Sequence, residues 1–134
     1  MMTIFEHIIC REIPAHILHE DDLCIAFLDI KPVAYGHTLV VPKHPYVRLD
    51  QCPDDLVAHL FVVSKKLMLA MKQALGADFV HIGVMGTEVP HTHIHVIPLQ
   101  FDTSLTHRST LTYDDQNQAQ QYAHNIQQSL QKIA

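Results

Sequence analysis

The chain has 134 residues, 48% of them hydrophobic and 17% charged, which fits one compact domain and excludes a disordered or fibrous protein. Its formal net charge is −5, with no basic cluster beyond Lys65-Lys66, so the electrostatic footprint for wrapping a nucleic acid polymer is missing. No apolar run approaches the ~20 residues that span a bilayer and Met1-Met2-Thr3-Ile4 opens no signal segment, so the expected location is the cytoplasm, without a membrane partner.

Phe5 to Cys10 is expected to form a short helix closed by Ile13-Pro14, because the residue before proline is pushed out of the helical region. His16 to His19 and Leu23 to Asp29 are β-prone runs joined by Glu20-Asp21-Asp22, the pattern of a hairpin. His37 to Val41 reads as a third strand, opened by the turn around Tyr35-Gly36 and ended by Pro42. Leu56, Leu60, Val63, Leu67, Met71 and Leu75 recur every three or four residues and predict a long helix from Asp54 to Leu75. Asp54 or Asp55 is expected to cap its start, and Gly76 suits a left-handed stop.

Phe79 to Met85 and His91 to Pro98 are the last two strands, and the polar stretch Gln100 to Thr112 reads as a loop. A final helix is expected from about Thr112–Asp114 to Lys132, with Tyr122, Ile126 and Leu130 along one face. The sum is a single α+β domain over residues 1–134, with a mainly antiparallel five-stranded sheet, a long helix and short terminal helices. Cys10, Cys24 and Cys52 are odd in number and far apart, which argues for reduced thiols, two of them in apolar surroundings.

Twelve histidines are an unusual number, and three of them fall in His91-Thr92-His93-Ile94-His95-Val96-Ile97-Pro98. Side chains on a strand alternate between faces, so His91, His93 and His95 are expected on one face, about 6–7 Å apart. Ile94 and Val96 then face the core. Imidazole has a reference pKa of ~6.5, so one ring can be neutral and attack while a neighbour stabilises charge or donates a proton. Three close imidazoles cannot all be cations, which favours mixed protonation states. His-x-His on a strand can also hold zinc, but no carboxylate or Cys stands at a convincing spacing to complete that site, so neither metal nor cofactor is expected.

With this motif the sequence resembles the histidine triad (HIT) family, whose mark is His-φ-His-φ-His-φ-φ with φ apolar; Thr92 is a mild departure. The likeness extends through Ile4-Phe5, Ile8-Ile9, Glu12-Ile13-Pro14-Ala15, Glu20-Asp21-Asp22, Ala26-Phe27-Leu28-Asp29-Ile30 and Gly36-His37-Thr38-Leu39-Val40-Val41-Pro42-Lys43, about residues 3–98 in all. The segment of about 100–134 carries little of it. The resemblance implies a HIT-like fold and a reaction at the α-phosphate of a small nucleotide, with His93 as the nucleophile that forms a covalent nucleotidyl-histidine. It implies that His95 contacts phosphate and leaving group, and that His91 and His37 complete a hydrogen-bonded quartet. It places a purine base among Phe5, Ile8, Ile13, Phe27 and Ile30, the ribose at Asp29, and a phosphate contact at Thr87. It also implies a homodimer with a shared sheet.

Family members commonly carry Asn-Gly and Gly-Gln between the last two strands; here the connection is shorter, with Met85 at the Asn position and Gly86-Thr87 for Gly-Gln. Thr3 and Glu6 stand where some members have a Cys-x-x-Cys zinc site, and His44 is one residue early for its third ligand, so structural zinc is not expected there. The resemblance implies a nucleoside 5′-monophosphoryl hydrolase or transferase, with a nucleotide-binding regulatory or scaffold protein of little turnover as the alternative.

Overall fold

The computed structural model describes residues 2–102 and 110–133. Five strands form one antiparallel sheet in the order β1 (Ile17–Glu20), β2 (Cys24–Leu28), β3 (Thr38–Pro42), β5 (Ile94–Leu99), β4 (Phe79–Gly83). Helix α1 is Ile4–Ile9, α2 is Asp54–Leu75 and α3 is Gln116–Gln131. A 3-10 turn at Leu49–Gln51 leads into α2.

Alternation along β2 and β3 divides the core in two. Ala26, Leu28 and Val40 join Ile94 and Val96 against Leu60, Leu67 and Met71 of α2. Ile25, Phe27, Leu39 and Val41 face the other way, against Phe5 and Ile8 of α1. The sheet is thus covered on both faces, and β2 and β3 are buried along their whole length.

Helix α1 starts on a capping box: the Thr3 hydroxyl accepts from the Glu6 N–H while Glu6 accepts from the Thr3 N–H. It ends before Pro14 is reached. Arg11 adopts a left-handed conformation (φ 64°) and its N–H donates to the Ile8 carbonyl, so the chain has already reversed. The long helix has the expected bounds, and Gly76 stops it in the left-handed conformation (φ 64°). Its N-cap, however, is Pro53; Asp54 and Asp55 are the first helical residues, where their carboxylates complement the positive end of the helix dipole.

β4 ends at Gly83 and not Met85, and β5 begins at Ile94, so His91, Thr92 and His93 precede the ladder. The cause is Thr92, whose N–H and hydroxyl both donate to the Tyr46 carbonyl, 2.8 and 2.9 Å. The residue that departs from the apolar motif is thereby a buried, satisfied anchor. Pro42, expected to end β3, is its last residue, paired with Cys24.

Part of the Gln100–Thr112 loop, residues 103–109, lies outside the described residues. Beyond it, the Leu111 N–H donates to the Pro32 carbonyl and the Tyr113 hydroxyl accepts from the Gly36 N–H. These bonds engage 110–113 outside any helix, so α3 starts later than expected, on an Asp115 cap. Gly36 is required here by its φ of +98°, which strains any side-chain-bearing residue, and a Cβ would also crowd Leu75 Cδ1 at 2.7 Å. Of the predicted α3 face, Ile126 is buried, while Tyr122 and Leu130 are half-buried; Ala119 and Ala123 complete the packing. Cys24 and Cys52 are buried and Cys10 is exposed, all as free thiols.

Candidate active site

The hydrogen bonds of the histidines assign their tautomers from the backbone outward. The Val33 N–H donates to His37 Nδ1 (3.0 Å), so a neutral His37 carries its proton on Nε2 and donates it to His95 Nδ1 (2.9 Å). A neutral His95, accepting at Nδ1, then holds its proton on Nε2. His93 is set the opposite way: its Nδ1 lies 2.8 Å from the His91 carbonyl, which can only accept, so Nδ1 is protonated and Nε2 bears the lone pair. His91 donates from Nε2 to the Pro42 carbonyl (2.8 Å), and its Nδ1 accepts from the Thr3 hydroxyl (3.4 Å). The result is one ring with a bare Nε2 next to one with a protonated Nε2, 5.0 Å between ring centroids.

His37 and His95 form part of the wall of a cavity of about 420 Å³ that Asp29, Ile30, Lys31 and Val33 enter from one side and Gly83, Met85 and Glu88 from the other. Of the expected nucleotide-binding residues, the structure therefore brings Asp29 and Ile30 to this cavity, Ile30 with 70% of its surface exposed. Phe5, Ile8, Ile13 and Phe27 lie in the cluster beneath α1, where the Phe5 ring sits edge-on to His93 (5.1 Å) and to His91 (5.9 Å). Thr87 is exposed in the 84–90 connection. His93 is not part of the cavity wall and is only 2% exposed.

His81 also lines the cavity, and the sequence reading missed it. It shares the face of β4 with Gly83, which pairs with His95, and a Cβ on Gly83 would meet His81 Nε2 at 2.6 Å. The two-residue spacing of His81 and Gly83 was the available signal. Lys31, Glu88 and Thr110 join the cavity through loops, where no periodicity marks them.

Burial dominates the electrostatics. It holds His37 well below the ordinary imidazole value, at about 3, with His95, His81 and His93 adding to the effect. Burial also lowers His91, against the hydrogen bond to Pro42. Asp29 is raised by burial and by Glu88, although the Lys31 N–H bonded to its Oδ1 works the other way. Asp29 Oδ2 lies 3.7 Å from His37 Nε2. Fold contacts thus supply the carboxylate that no sequence spacing offered: donor atoms of Asp29, His37 and His95 lie within 4.8 Å of one another and could hold a metal ion.

Residues 10–102 match the HIT domain family. The chain is 46% identical over 102 residues to an uncharacterized HIT-like protein of Methanocaldococcus jannaschii, covering 72% of this chain and 78% of that one. It is 36% identical over 100 residues to the adenylylsulfatase HINT3 of Arabidopsis thaliana, covering 71% of this chain and 51% of that protein. Among solved structures, a zinc-bound histidine triad family protein from Mycobacterium smegmatis superposes with a TM-score of 0.85 at 28% identity, over 96% of this chain and 93% of that one. The paired imidazoles of His93 and His95 therefore sit in a chain that belongs to the histidine triad family, which includes nucleotide hydrolases such as that adenylylsulfatase.

Proposed function

We propose that this protein hydrolyses or transfers nucleoside 5′-monophosphoryl groups from small nucleotides, with a purine nucleotide as the substrate class and a phosphoramidate, dinucleoside polyphosphate or mixed anhydride as the reacting bond. The observation that carries this reading is the opposed tautomers of His93 and His95. His93 Nε2 attacks the α-phosphorus, forming an N–P bond as the bond from phosphorus to the leaving group breaks. His95 Nε2–H hydrogen-bonds the departing atom, which takes its proton from solvent, so His95 stays a neutral donor throughout. Water then attacks the nucleotidyl-histidine and loses its proton to solvent, and the N–P bond breaks to release the 5′-monophosphate. His37 holds His95 in the donor tautomer, and His91 lends its carbonyl to His93.

Asp29 serves as acceptor for the ribose hydroxyls, beside Ile30, and Phe5, Ile8, Ile13 and Phe27 supply the apolar side of the base site. Because His93 is 2% exposed, substrate must displace its cover; the 84–90 connection is the segment to move, with Val89 packed on the Phe5 cluster and Thr87 brought toward phosphate. That same burial favours the second reading, a binding protein with little turnover. Incubation with adenylated compounds and mass spectrometry of the quenched protein separates the two. A nucleotide adduct on His93 supports the enzyme, and a bound nucleotide with no adduct on any histidine overturns it. This reading includes a cytoplasmic homodimer joined along β4, supported by the edge position of that strand and the exposed Phe61, Val62 and Leu69 on α2. Among the described residues no helix is long and apolar enough to cross a membrane.

A further inference from the structure

The β1–β2 hairpin and α2 bring a second group of histidines together, outside the cavity. Ile17 pairs with Phe27 whereas His19 pairs with Ala26, so Leu18 is an extra residue on β1 and the alternation resets. Phe27 belongs to the cluster under α1 and Ala26 to that under α2, so this bulge turns His19 toward α2. There His19 Nε2 lies 2.6 Å from Asp21 Oδ2, His59 Nε2 of α2 lies 2.8 Å from the same oxygen, and Cys24 Sγ lies 3.6 Å from it.

The other carboxylate oxygen of Asp21 accepts the N–H groups of Leu23 and Cys24, at 2.8 and 2.9 Å, which fixes the carboxylate in the turn. Three potential donors thus crowd one oxygen that offers about two lone-pair sites. The donor atoms of His19, Asp21 and Cys24 already lie within 4.8 Å of one another, while His59, held by Asp21, is farther than that from at least one of the other two.

We propose that His19, Asp21, Cys24 and His59 bind a divalent cation of the zinc type. Two imidazole nitrogens, a carboxylate oxygen and a thiolate are a donor set that zinc takes in tetrahedral sites, with Zn–N and Zn–O of about 2.0–2.2 Å and Zn–S of about 2.3 Å. Those lengths put ligand atoms about 3.3–3.7 Å apart, so the Asp21–Cys24 separation fits, His19 needs to withdraw from Asp21 by less than about 1 Å, and His59, which lies more than 4.8 Å from His19 or Cys24, must swing in by more than about 1 Å to complete the set. On binding, the Cys24 thiol releases its proton to solvent and the neutral imidazoles ligate through Nε2. Asp21 and His19 side chains are each 28% exposed and His59 33%, which gives the ion a route in, while Cys24 closes the site from the core. Four protein ligands leave no open position, so the ion ties the hairpin to α2 and takes no part in chemistry at His93. The site is distinct from the Thr3 and Glu6 positions, which form the α1 capping box.

The test is metal titration of the intact chain after stripping with chelator. Zn²⁺ should bind with one ion lost on combining His19→Phe with His59→Gln, each alone weakening it at least tenfold, and should raise the melting temperature. Co²⁺ should give a thiolate-to-metal charge-transfer band that Cys24→Ser removes. Asp29→Asn, which alters the only other such cluster among the described residues, should leave both signals in place. Should Cys24→Ser fail to fold, the cobalt band in His19→Phe and Asp29→Asn decides. Absence of the band in the parent protein, or Zn²⁺ binding that survives His19→Phe and is lost in Asp29→Asn, overturns the proposal.

Discussion

His93 and His95 differ by what their Nδ1 atoms touch, a carbonyl in one case and an imidazole in the other. If that difference sets nucleophile and hydrogen-bond donor, His93→Gly removes turnover by more than tenfold while nucleotide affinity stays within a few-fold, because the nucleophile acts in the transition state. Steady-state kinetics with a binding isotherm check both halves, and activity above a tenth of the parent would count against the role. His37 carries a separate pH prediction. Its folded value of about 3 lies below the ordinary ~6.5, so the unfolded chain binds more protons between them. Stability is therefore fully present above about pH 6.5 and falls as the pH drops toward about 3; His91 acts in the same direction, and the raised Asp29 opposes them. Melting temperatures from about pH 7 to about pH 4.5 should fall more steeply for the parent than for His37→Asn, and equal slopes would refute the assignment.

At the scale of elements, the proposed reaction assigns the 84–90 connection to the phosphate. Thr87 can donate one hydrogen bond where relatives commonly offer an amide, and its side chain is exposed with Gly86 (φ 74°) beside it. A donor to a charged phosphate contributes about 1.5–3 kcal/mol, so Thr87→Gln should raise kcat/KM on an adenosine 5′-phosphoramidate by about tenfold or more. A fall of more than a few-fold at unchanged melting temperature would mean that backbone N–H groups already fill the place. What the sequence made legible follows the same division. α2 could be read to the residue because six apolar positions and Gly76 repeat one local rule. The start of β5 could not, since it depends on the Tyr46 carbonyl capturing Thr92, a partner 46 positions away. The end of α1 was read to within one residue, but its cause was not, because nothing in an arginine announces a left-handed turn. The triad was legible as a motif; its cavity was legible only in part, since Asp29 and Ile30 came with the resemblance while Lys31, His81 and Glu88 reach it from separate segments.

For the whole molecule, the sheet order leaves β4 at an edge, without a neighbouring strand on one side among the described residues, and β4 also bears His81 and Gly83 of the cavity wall. Helix α2 presents Phe61, Val62 and Leu69, while Val84 and Phe101 are exposed just past β4 and β5. Exposed apolar groups beside an unpaired edge favour association of two chains by strand pairing, which would join the sheets and cover α2 at once. Light scattering on the eluting protein should therefore give the mass of two chains, and Phe61→Glu combined with Val62→Lys should give one, since buried unpaired charges in the joint are costly. Because the cavity wall runs along the joined strand, the separated chain should also show a raised KM with a smaller change in kcat. A parent protein that elutes as one chain at working concentration would remove the dimer. A charged variant that separates with unaltered KM would instead keep the dimer and show that each cavity is complete within its own chain.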